Sequence, residues 1–123
     1  MLYHSKRKRE KKFKQKLAAR YDLSGTLTHF AQACQLLYAE PKWGPILREC
    51  VILGNETKNK DKFAGAWVIQ ALRIQGVTPP SNLRTLSALG LLKMVHTTRS
   101  GNRAYYTMPD SKSITKALKE FGY

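Results

Sequence analysis

The chain has 123 residues, one domain's length, and its 42% hydrophobic content suffices for a modest core of a few packed elements. Twenty-two Lys and Arg stand against eight Asp and Glu, a net charge of +14 that favours polyanionic partners, nucleic acid first and an anionic membrane surface second. No apolar run approaches the roughly 18 residues of a membrane span, so a membrane-spanning segment is excluded and no membrane partner is expected.

The charge is uneven. Residues 1–20 hold Lys6, Arg7, Lys8, Arg9, Lys11, Lys12, Lys14, Lys16 and Arg20 against one acid, Glu10, and so carry +8 of the +14. Residues 3–20 read as a helix whose apolar positions are Tyr3, Phe13, Leu17, Ala18 and Ala19. So thin a stripe needs a partner, either the domain or a polyanion. Three roles stay open for this segment: a nucleic-acid contact, a solvated tail, or an import signal. No apolar stretch follows the basic start, so no secretory signal is expected.

A helix over about 25–39 comes next, with Ser24 or Thr26 as its cap. Leu27, Phe30, Ala31, Cys34, Leu37 and Tyr38 recur at helical spacing and predict its buried face, with Cys34 as a core filler. Pro41–Pro45 reads as a loop, and Pro45 suits the first turn of a helix over about 46–53, closed by Gly54. Asn55–Lys62 is wholly polar and reads as a solvated connection.

A helix over 63–75 follows, with Phe63, Ala64, Trp67, Val68, Ala71 and Leu72 on one face and Gly76 after it. Trp67 reads as a core anchor rather than a ligand platform. Thr78 then precedes Pro79-Pro80, a cap followed by prolines suited to a first helical turn, and Leu83, Leu86 and Gly90 carry a helix over 79–89. The pair forms a helix-turn-helix. After Gly90 the period changes: Leu91–Arg99 and Arg103–Met108 are β-prone and flank Ser100-Gly101-Asn102, a tight-turn sequence. A two-stranded ribbon is marginal alone, so Val95, Tyr105 or Tyr106, and Met108 are expected to pack it on the helices. Pro109-Asp110 starts a last helix over 111–121, with Ile114, Ala117, Leu118 and Phe121 buried.

The run Leu83-x2-Leu86-x3-Gly90-Leu91-Leu92-Lys93, then Arg99 to Arg103, then Tyr105-Tyr106-Thr107 resembles the winged-helix superfamily over about residues 45–121. The fold this implies is mainly α with a small two-stranded β wing, a winged helix-turn-helix with extra N-terminal helices. The chain then divides into a basic helix or tail, 1–22, and a domain, 23–123, with its helix-turn-helix at 63–90, wing at 91–108 and C-terminal helix at 111–121. The resemblance implies a sequence-specific DNA-binding regulator, placed in the cytoplasm or nucleoid, or in the nucleus of a eukaryote. A narrower likeness, carried by Leu72-Arg73-Ile74-x-Gly76 and Gly90-Leu91-Leu92-Lys93-x-Val95, is to a small-subunit ribosomal protein; it implies RNA or the ribosome as the alternative partner.

In a helix-turn-helix the second helix lies in the major groove. Leu83 and Leu86 define its inner face, leaving Ser81, Asn82, Arg84 and Thr85 outward to read base edges. Arg99, Asn102 and Arg103 at the wing, with Lys93 on the approaching strand, are expected on phosphates; a solvated hairpin tip is the alternative. Lys6, Arg7, Lys8, Arg9, Lys11, Lys12 and Lys14 would add sequence-independent affinity. A homodimer through helices 25–39 and 46–53 is a further expectation, since both are more apolar than a minimal winged helix needs. His4, His29 and His96 are scattered, Cys34 and Cys50 form no CxxC, and no phosphate loop or nucleophile motif is present, so neither metal, cofactor nor enzyme activity is expected. Two thiols without a secretory signal point to a reducing compartment.

Overall fold

The computed structural model describes residues 2–56, 62–98 and 103–123, with side chains described from Arg9 onward. Among these the chain is mainly helical, with six helices and a three-stranded antiparallel sheet. No helix is long and apolar enough to cross a membrane.

Helix α1 (Leu2–Ala18) contains no Gly, Pro or β-branched residue. Its straight-chain Lys, Arg, Glu and Gln lose little rotamer freedom in a helix, but like charges along it repel. Packing supplies what propensity cannot. Leu17 is buried, Phe13 half-buried, and Tyr21, just past the helix, is buried on the same stripe. The Tyr21 hydroxyl donates to Glu40, whose other carboxylate oxygen accepts from Arg20 at 3.1 Å. Burial first, then the bond to Glu40, pushes the Tyr21 phenol well above its ordinary value and keeps it a donor.

Helix α2 (His29–Ala39) starts four residues later than its spacing predicts. Gly25 adopts a positive φ, and Ser24 and Thr26 are bonded to the Asp22 carboxylate. Thr28 is the cap instead, accepting from Ala31 N–H at 3.1 Å. The buried face turns with the start: it holds Gln32, Ala33, Leu36 and Leu37, while Leu27 and Tyr38 are exposed. Cys34 is half-buried against the core. Helix α3 (Trp43–Asn55) likewise begins inside the expected loop, holds Pro45 in its first turn, and runs through Gly54. A Cβ at Gly44 would meet the Tyr123 ring, which would have to shift. Helix α2 packs chiefly on the last helix, and α3 on that helix and α4, so much of the apolar surface expected at a dimer contact is covered within the chain.

The 63–75 segment is not one helix. Phe63 and Ala64 form strand β1 (Phe63–Ala64), and α4 (Gly65–Ile74) follows at once. Both β1 residues are fully buried, where pairing with a neighbouring strand satisfies backbone groups that water cannot reach. Val68 and Leu72 face the core, whereas Trp67 is exposed rather than anchored in it. Gly76, at positive φ, lets Val77 N–H reach back to Leu72 C=O at 2.9 Å and close the helix.

Helix α5 (Arg84–Ala88) is one turn and a half, far shorter than 79–89. Pro79 and Pro80 stay outside it. Asn82 starts it by accepting Arg84 N–H on its side-chain oxygen at 2.9 Å, a local turn that competes with helix upstream. Gly90 ends it at positive φ, with Leu91 N–H on Leu86 C=O at 3.0 Å. Leu83, Leu86, Leu91 and Leu92 are all buried.

Strands β2 (Lys93–Thr97) and β3 (Ala104–Thr107) pair antiparallel, but the sheet has three strands rather than two, in the order β1-β3-β2. Tyr106 is the tyrosine that turns inward, opposite Phe63 with ring centres 6.4 Å apart. Val95 sits at a bulge and is exposed, so it does not pack the ribbon down. Helix α6 (Ser111–Glu120) buries Ile114, Ala117 and Leu118; Phe121 lies beyond its end and is exposed.

Asp110 caps α6 by accepting Ser113 N–H at 3.1 Å and meets His29 Nδ1 at 3.2 Å. Hydrogen bonds from Ser113, then the one with His29, hold its carboxyl below the ordinary range. The sign follows: this cap stabilises fully above the ordinary carboxylate range and is lost as pH falls through the lowered value. Asp110→Asn keeps an acceptor and loses the titration. The urea midpoint of the wild type is expected to fall towards that of the variant below about pH 4.

Candidate nucleic-acid interface

Helix α1 meets the start of α5 through a few side chains. The Arg84 guanidinium sits 4.4 Å from the centre of the Phe13 ring and forms an ion pair with Glu10. Thr85 lines a shallow cleft with Phe13, Lys16 and Leu17. Of the residues expected to face bases, Arg84 is thus engaged by side chains of the chain's own first helix, and Thr85 borders it. Ser81 and Asn82 are not on α5 at all; they lie in the approach to it, and the Asn82 side-chain oxygen is already bonded.

Beside this contact runs an open groove of about 600 Å³ between α1, the approach to α5 and the sheet. It gathers Arg9 from α1, Ser81, Asn82 and Arg84 from around α5, and Arg103 at the start of β3. Its one acid, Glu10, is already paired to Arg84. Arg9 and Arg103 are exposed. Three arginines from three parts of the chain therefore border one groove, a residue type suited to forked contacts with phosphate oxygens.

The remaining expected residues distribute as follows. Lys11, Lys12 and Lys14 are exposed on α1, with Lys14 bordering the adjoining pocket of Phe13, Leu23, Ser87 and Met94. Lys93 is exposed on β2, where strand alternation and the register put it with Thr107, on the face away from Met94 and Tyr106. Arg99 and Asn102 lie outside the described residues, as do the side chains of Lys6, Arg7 and Lys8.

Glu10 escaped the sequence reading as a functional residue. Its signal is spacing: Glu10, Phe13, Leu17 and Tyr21 fall on one helical stripe, and Glu10 is the only acid in the first twenty residues. Among the described residues no three His, Cys, Asp or Glu side chains cluster as metal ligands. Cys50 is fully buried, and burial pushes its thiol far up, away from nucleophilic use. Comparison with protein-family models, curated proteins and solved structures finds no match.

The α1–α5 contact is testable by cleavage. Phe13→Ala is expected to speed tryptic cutting after Lys11, Lys12 and Lys14 at least severalfold, with little change in the cutting rate elsewhere. Equal rates in both proteins would mean that Phe13 does not hold α1 down.

Proposed function

We propose that this is a nucleic-acid-binding protein of the winged-helix type, which grips the backbone of duplex DNA in the groove between α1 and the sheet and serves in transcription regulation. The convergence of Arg9, Arg84 and Arg103 on one groove carries this reading. The element order supports the winged-helix part: α3, α4, turn, α5, then β2 and β3 with a basic sequence between them is what the resemblance implies. Strand β1, immediately before α4 and paired to β3, ties that ribbon to the helices.

The division of labour differs from a simple helix-in-groove picture. With α1 docked, α5 holds the groove's floor, and Arg84 reaches phosphate from its edge. Exposed Lys11, Lys12, Lys14 and Lys16 on α1 add affinity by releasing counterions, without regard to sequence. Ser81 and the Asn82 amide nitrogen are the polar groups that border the groove and are available to a base edge or a sugar.

A second reading, an RNA-binding component of a ribosome-like assembly, is favoured by one observation: α5 is only five residues long and its arginine is held by Phe13 and Glu10 of α1, as base reading by that helix would not require. Affinity for a structured RNA against a duplex of equal charge separates the two.

The groove itself is tested by salt dependence. Changing Arg9 and Arg103 together to Ala is expected to weaken binding to all duplex sequences and flatten the slope of log K against log salt by up to roughly two units. An unchanged slope would take the groove out of contact with the backbone.

A further inference from the structure

We infer that the sheet face turned away from α1 is a second nucleic-acid site, one that takes the unpaired bases of a single strand; this rests on the nucleic-acid reading above. The face is built by a register detail. The pairing shifts between Met94 and His96, leaving Val95 as the extra residue of a bulge. Without that insertion, strand alternation would put Lys93 and His96 on opposite faces; with it, Lys93 pairs with Thr107 and His96 with Tyr105 on the same one.

Tyr105 is the centre of the cluster. The His96 ring lies 5.6 Å from it, tilted by 39°, and the Trp67 indole 5.9 Å away, nearly perpendicular at 88°. Lys62 Nζ stands 5.2 Å from the Tyr105 ring centre. Trp67 remains 37% exposed and His96 is exposed, so ring surface is open to solvent where the core does not use it. Lys62 and Lys93 flank the rings, and helix α4 and strands β2 and β3 contain no Asp or Glu.

Aromatic rings edged by lysines suit one ligand chemistry in particular. Bases stack on the rings while the phosphates between them meet the lysines. A duplex cannot use such a face, because its base surfaces already stack on one another. The arginine groove and this platform lie on opposite faces of the sheet, so the two sites suit different strands or different segments of one partly opened nucleic acid.

The test uses the full chain and two labelled probes of equal charge: a twelve-nucleotide oligothymidylate and a twelve-unit abasic deoxyribose-phosphate strand. Fluorescence anisotropy gives their affinities, and tryptophan emission reports the platform directly, since Trp67 is exposed and Trp43 is buried. The wild type is expected to prefer the thymidylate strand roughly tenfold, with quenching of Trp67. Trp67→Ala should bring the two affinities close together, whereas Trp67→Phe should keep the preference and lose the quenching. Equal affinities in the wild type, or an undiminished preference in Trp67→Ala, overturn the platform. A duplex titration run alongside separates the claims: salt-dependent duplex binding with no base preference removes the platform alone, and binding of no probe at all removes the nucleic-acid reading with it.

Discussion

A strongly cationic helix has to be held against a cationic body, and the rest of the architecture follows from how that is done. Coulomb repulsion favours α1 leaving. The Glu10–Arg84 pair opposes it, but both side chains are about half exposed, and such pairs contribute at most about 1 kcal/mol. The apolar stripe decides the balance. Leu17 and Tyr21 are buried and Phe13 half-buried, and burial of side chains of this size stabilises by about 1.5–3 kcal/mol each. The carboxylates serve orientation more than energy: Glu10 fixes the outer part of α1 on α5, and Glu40 gathers Tyr21 and Arg20 at its end.

That docking changes what α5 can do. Helix α5 is only five residues long, and its arginine is held by Phe13 and Glu10 of α1. The exposed basic residues lie outward on α1 and along the groove shared with the sheet. The sheet in turn depends on Phe63 and Tyr106, whose buried rings connect β1 and β3 to the core and leave β2 as an exposed outer strand. One side of this small sheet closes a basic groove while the other presents rings and lysines.

Much of the fold was legible in the sequence. The Leu83–Leu86–Gly90 spacing, the helix end at Gly76, and the change to β-prone residues after Gly90 all correspond to observed features. Boundaries moved where a side chain outcompeted periodicity. Thr28 capped α2 in place of Ser24 or Thr26, and Asn82 bound Arg84 N–H and delayed α5. Strand β1 was hidden because Phe63 and Ala64 continue a helical apolar pattern, and only long-range pairing with Tyr105 and Tyr106 distinguishes them. Of the candidate site, the basic residues could be named but not their grouping. That Arg84 would be paired with Glu10, seventy-four positions earlier, is a tertiary fact with no local sequence signature. Trp67 was read as core because its spacing fits the buried face, yet it lies at that face's edge, where Tyr105 meets it.

In the proposed function α1 keeps its contact with α5 and engages nucleic acid from its outer side. Amide hydrogen exchange on the full chain, free and saturated with a duplex of about twenty base pairs, tests this. Added protection is expected along α1 and the groove residues around Ser81 and Arg103, with α5 as protected as before. Loss of protection in α1 on binding would mean that the helix is displaced to open α5, and an unchanged α1 at saturation would mean that it takes no part; either result would contradict the claim.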